Sequence, residues 1–242
     1  MFGLFSKEKA LQKTIEKATN KLSQQVDRWG ALEKLKEDGT EEALFGLCKR
    51  WGITSMKGVE DEQEKNWVVD TLVGFSARSL APVIRYMKTA DQLAFPLKVL
   101  ERIADRARVL EVADELIKSE PPGYVRMPER RIDLLRWLSE WKPITDDELV
   151  TRLTPYVADF DENSRFTAIE SMSGRDPAKI GPPLIAALIR PEEESGRIRR
   201  TIVEVLVKGK VPLGEHTSAV EKILTGPLAN EFRIDNGTLV KR

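Results

Sequence analysis

DENSRFTAIESMSGRDPAKIGPPLIAALIRPEEESGRIRRTIVEVLVK, residues 161–208, is written twice in one register. Arg165 is followed at three by Ala168 and at seven by Met172, and Arg199 is followed at three by Ile202 and at seven by Leu206. Equivalent positions stand at i and i+34. Arg131, Leu134 and Leu138 repeat the triplet one such step earlier, and Leu97, Leu100 and Ala104 repeat it a further step back, with the basic residue lost. Lys65, Val68 and Leu72 follow after a step of 32, then Arg28, Ala31 and Leu35 after a step of 37. This spacing puts each triplet on one face of a helix. Six copies predict an elongated array of helix pairs in which each unit buries its apolar face on its neighbours.

The second helix of each pair is legible as well. Leu80, Val83, Ile84 and Met87 form one, Val109, Val112, Leu116 and Ile117 another, and Leu149, Val150, Leu153 and Val157 a third. Gly39 suits a helix end and Thr40 the next helix start. Thr145-Asp146-Asp147-Glu148 reads as an N-cap followed by acids that complement the helix dipole. Pro82 and Pro96 belong in first turns, and Pro182 and Pro183 at the start of a second helix.

Upstream, Leu11, Ile15, Ala18, Leu22 and Val26 make one stripe, predicting a single helix over 7–26 that caps the first pair. Residues 1–25 carry five lysines against two glutamates, so Phe2, Leu4 and Phe5 entering a lipid interface, with membrane contact by residues 1–21, is the alternative. Downstream, Phe232 to Asp235, Asn236-Gly237 and Thr238 to Arg242 read as a β-hairpin, because Asn-Gly favours a two-residue type I′ turn. The organisation expected is a capping helix over 1–26, a repeat array over 27–226 and a hairpin tail over 227–242. About thirteen helices are expected, with strand only near the C-terminus.

The recurring residues resemble the HEAT-repeat family. Asp161, Arg165, Ala168 and Met172, then Leu184 and Leu188, follow its pattern of acid, base, small and apolar residue before a leucine-rich second helix. The resemblance implies an all-α, right-handed, armadillo-like solenoid, in which the Asp and Arg support packing between repeats. Met127 and Ser195 stand where acids would precede Arg131 and Arg199, so a regular ladder of that kind is broken. A period of 34 also belongs to tetratricopeptide repeats, but after Trp29 and Leu32 the residues Glu33 and Lys36 replace that family's Gly and Tyr.

The totals narrow the function. Basic and acidic residues number 39 each, and residues 98–142 interleave ten bases with nine acids, which argues against nucleic-acid binding through phosphates. One cysteine, Cys48, excludes an internal disulfide and a cysteine zinc site, and the single histidine, His216, has no partner histidine. No metal spacing, phosphate loop or nucleophile elbow is present, so no cofactor, metal or catalytic residue is expected. No apolar run reaches the length of a membrane span, and a cytoplasmic location is expected. The resemblance brings one enzymatic alternative, a HEAT-like nucleic-acid-binding protein or DNA glycosylase with a basic groove lined by tryptophan.

A protein partner on the concave face of the second helices is the function these features favour. Its candidate contacts are Arg50, Trp51, Arg85, Tyr86, Arg152 and Tyr156, because Tyr, Trp and Arg dominate binding hot spots. Tyr124 and Met127 join them from the proline-rich loop 120–128, a length and composition that suit a functional loop.

Overall fold

The computed structural model describes the backbone from Phe2 to Arg242 and the side chains from Lys7 onward. The described residues form fourteen α-helices and one two-stranded antiparallel sheet. Helix α1 is Phe2–Ala18. Six helix pairs follow: α2 (Gln25–Asp38) with α3 (Glu41–Cys48), α4 (Gly58–Gly74) with α5 (Leu80–Met87), α6 (Ala94–Ile103) with α7 (Arg106–Ser119), α8 (Glu129–Glu140) with α9 (Asp146–Leu153), α10 (Glu162–Ser171) with α11 (Pro177–Ile189), and α12 (Gly196–Gly209) with α13 (Thr217–Ile223). A short α14 (Gly226–Glu231) leads into β1 (Phe232–Asp235) and β2 (Thr238–Lys241).

The local signals act where the sequence places them. Gly39 closes α2 in the left-handed region at φ 56°, donating its N–H to the Leu35 carbonyl, and the Thr40 hydroxyl accepts from the Ala43 N–H. Thr145 and Glu148 form a reciprocal capping box on α9. Asp161 and Ser195 cap α10 and α12 through the N–H groups of Ser164 and Ile198.

Two expectations change. The stripe over 7–26 is not one helix: α1 ends at Ala18, and the Asn20 side chain accepts from the Leu22 N–H at 3.0 Å in a turn that competes with the helix. Leu11, Ile15 and Ala18 therefore stay on the helix while Leu22 and Val26 are exposed. The proposed insertion of Phe2, Leu4 and Phe5 into lipid concerns side chains outside the described residues. Further on, α11 starts at Pro177 behind an Asp176 cap, five residues ahead of Pro182, so Pro182 and Pro183 lie inside the helix.

The contacts divide the chain into two compact units, one up to Leu116 and the other from Ile117. In the first unit α1 lies on α2 and α3, α4 packs on α2 and α6, and α3 packs on α5. The approach of α1 is close at Gly46, where a Cβ would stand 2.7 Å from Ile15 Cγ1. Leu32, Leu35, Leu44, Leu47, Leu72 and Met87 fill this core. In the second unit α10 packs on α8 and α12, and α11 packs on α9 and α13. Leu135, Ala168 and Met172 are fully buried there. The hairpin has the expected turn, with Asn236 at φ 47° and Gly237 at φ 73°, and pairs Ile234 with Leu239. It docks on α12 through β2, burying Phe232 and Leu239, and the Leu213 N–H donates to the Gly237 carbonyl at 2.9 Å. Among the described residues, no helix is long and apolar enough to cross a membrane.

Candidate interaction surfaces

Five charged side chains meet inside the first unit. Arg28 and Arg50 share the Glu64 carboxylate at 2.8 and 2.6 Å, Arg50 also reaches Asp61 at 2.7 Å, and Lys65 reaches the other Asp61 oxygen at 2.7 Å. The Ser55 N–H donates to Asp61 at 2.8 Å, and Arg50 donates to the Ile53 carbonyl at 3.1 Å. All five are buried. Three cations against two carboxylates leave one positive charge inside the unit, a costly arrangement that only close pairing sustains. Burial pushes the Asp61 carboxyl up, but Lys65, the Ser55 N–H and Arg50 together outweigh it and hold it at about 2.

A related device recurs in the second unit with the period of the sequence. Arg131 pairs with Asp159 at 2.7 Å and Arg165 with Glu193 at 2.8 Å, so that each arginine at i meets an acid at i+28. Arg131 also donates to the carbonyls of Pro121 and Gly123, and Arg165 to those of Asp159 and Phe160. Each acid in turn accepts from the N–H two residues on, Asp161 at 2.8 Å and Ser195 at 3.0 Å. Those two residues are the caps of α10 and α12. The resemblance places the acid four residues before the arginine, whereas the acid that pairs lies far downstream. A signal for it was present: Asp159 and Glu193 share the i, i+34 relation of Arg131 and Arg165.

The eight residues expected to contact a partner divide between the two units, and half of them are core. Arg50 belongs to the ion cluster. Trp51 is buried, donates its indole N–H to the Lys65 carbonyl at 3.1 Å and lies 5.6 Å from Tyr86, itself buried. Tyr156 is buried and donates its hydroxyl to the Glu120 carbonyl at 2.8 Å; burial pushes its phenol up to about 12. These four cannot meet a partner without unfolding. Arg85 is exposed, pairs with Glu42 and stacks 3.9 Å above the Phe45 ring. Arg152 is half-buried and donates to the Glu148 carbonyl at 2.9 Å. Tyr124 and Met127 are exposed, as the loop reading expects.

The large apolar side chains left in solvent are elsewhere. Leu22, Val26, Met56 and Val59 protrude in the first unit, and Tyr124, Met127 and Phe160 in the second, with exposures from 63% to 92%. Each lies just before, or in the first turn of, α2, α4, α8 or α10, the first helices of their pairs. Tyr124 and Phe160 pack edge to face with ring centroids 5.5 Å apart, one from the loop before α8 and the other from the loop before α10. Trp29 and Trp67, both half-exposed on α2 and α4, lie 5.4 Å apart, and Lys36 stands 5.3 Å above Trp67.

Cys48 is buried, which pushes its thiol up, away from the reactive thiolate. Among the described residues no group of His, Cys, Asp and Glu is placed to hold a metal ion. No protein-family model matches the chain, and no curated protein matches it.

Proposed function

We propose that this chain is a non-catalytic interaction scaffold of HEAT-like repeats, stacked as a right-handed α-solenoid, that binds another protein in the cytoplasm. The packing within each unit supports the repeat reading: first helices lie on first helices, and second helices on second helices. The Arg131 and Arg165 ion pairs, which recur at the repeat period, add a periodic side-chain device to the periodic apolar stripe. The enzymatic alternative implies a basic, tryptophan-lined groove, which the described tryptophans and arginines do not support. Trp51, Trp137 and Trp141 are buried, Arg28 and Arg131 face internal carboxylates, and the groove beside Trp29 and Trp67 is edged by Glu62 and Asp70.

The contact surface is not the set of second-helix aromatics named from the sequence, because those are core. It is the patch of Tyr124, Met127 and Phe160. The observation that carries this is the Tyr124–Phe160 pair, two rings packed on one another while 74% and 69% exposed. Exposed aromatics held by a rigid scaffold suit an interface anchor. The test is affinity capture from the native host with the parent chain and with Tyr124→Ala combined with Phe160→Ala. A partner retrieved by the parent should be lost with the double variant, whose thermal melt should match the parent. Retrieval undiminished by the double variant overturns the assignment.

A further inference from the structure

We propose that the first unit carries a docking face for an anionic phospholipid bilayer, formed at the starts of α2 and α4, distinct from the Tyr124–Phe160 patch. Leu22 and Val26 flank the start of α2, and Met56 and Val59 flank the start of α4, all 74% to 92% exposed. Leu22 and Val59 occupy the same place in two successive repeats, six residues ahead of Arg28 and Lys65. A hollow of about 160 Å³ joins Leu22 and Met56, with Lys21, Ser23, Arg28 and Lys57 on its walls. Val26 also edges a hollow of about 420 Å³ between α1 and α2 that carries Lys13, Lys17 and Lys34. Val59 edges the groove floored by Trp29 and Trp67.

Charge decides the occupant. Five lysines line the first two hollows, Lys13, Lys17, Lys21, Lys34 and Lys57, against two acids, Asp27 and Glu60. Lys57 pairs with Glu60, while the other four make no ion pair among the described residues. In the tryptophan groove Asp70 pairs with Arg102, while Glu62 accepts from the neutral Asn66 and keeps its charge. A chain whose net charge is zero thus gathers unpaired positive charge around Leu22, Val26 and Met56.

Around Leu22, Val26 and Met56 the apolar side chains are the protrusions, and the recesses beside them carry lysines. Side chains such as Leu and Met entering the headgroup boundary, with lysines at the phosphates, match an anionic interface. Half-exposed tryptophans suit the same depth. The face is not the apolar stripe of α1, because Ile15 and Ala18 are turned inward onto the first helix pair.

The experiment is co-sedimentation of the full chain with vesicles of phosphatidylcholine alone and of phosphatidylcholine containing phosphatidylserine, at low and physiological salt. The parent should partition onto the phosphatidylserine vesicles only, more weakly at the higher salt. Leu22→Ser with Met56→Ser should reduce partitioning at least tenfold. Lys13→Gln, Lys17→Gln and Lys21→Gln should each reduce it about fivefold. Lys13, Lys17 and Lys21 also serve the alternative of membrane contact by residues 1–21, so the Leu22 and Met56 replacements are the ones that report on this face alone. Tyr124→Ala with Phe160→Ala should leave vesicle binding intact, which keeps this test separate from the protein-partner test. The proposal is overturned if the parent stays in the supernatant, binds phosphatidylcholine equally well, or binds unchanged after the Leu22 and Met56 replacements.

Discussion

Arg50 and Arg85 are both arginines on or beside second helices, and the structure gives them opposite consequences. Arg50 is fully buried between Glu64 and Asp61. Arg50→Glu would put three carboxylates beside Arg28 and Lys65, and should cost at least about 3–5 kcal/mol. Arg85→Glu removes an exposed pair with Glu42 and a ring contact, and should cost about 1 kcal/mol. Urea unfolding of the two variants checks the contrast; equal midpoints would refute the buried cluster. Asp61 adds a pH dependence. Its folded pKa of about 2 lies below the unfolded value of about 3.9, so the folded state favours the ionised carboxylate. Its contribution is complete above pH ~4 and falls away as pH drops toward ~2. Stability of the parent measured across that window should decline, and Asp61→Asn, weaker at neutral pH, should decline less.

Among the elements, the caps and apolar stripes are legible in the sequence because they depend on neighbours three or four residues away. Thr145, Asp161 and Ser195 cap helices that begin at the next residue. Thr145→Ala should cost about 0.5–2 kcal/mol, and Leu135→Ala about 2–5 kcal/mol by lost burial and cavity; urea titrations should rank them in that order. For the second-helix aromatics, spacing and residue type pull apart. Arg50 stands three after Leu47, Trp51 four after Leu47, Tyr86 three after Val83 and Tyr156 three after Leu153, all on the buried stripe. Their residue types, those of binding hot spots, point outward instead. The acids that hold Arg50 inside, Asp61 and Glu64, lie across the following loop. Leu22 and Val26 fall in line with α1 because a stripe carries no record of the Asn20 turn that interrupts it. The carboxylate partners of Arg131 and Arg165 are hidden by distance, since pairing between i and i+28 is fixed by packing and not by local spacing.

At the scale of the whole molecule, the sequence leads one to expect a single array over 27–226, while the contacts separate at Leu116 and Ile117, inside α7. Each unit keeps its own core and its own buried ion pairs. Destabilising one should therefore leave much of the other protected. Hydrogen exchange of Arg50→Glu should show faster exchange through α2 to α5 and near-parental protection in α10 to α12. Uniform loss of protection along the chain would mean that the two units unfold as one.

The arginine–acid pairs also act as a ruler for how such a chain can lengthen. A second copy of residues 160–193 spliced in after Glu193 would bring one arginine and one acid in the same i, i+28 relation, and every existing pair would keep its partner. An insertion or deletion of roughly one helical turn between an arginine and its own carboxylate would throw that pair out of phase. Growth by duplication is thus confined to blocks that carry an arginine and its acid together. The charges that hold neighbouring helix pairs together also proofread the number of residues between them.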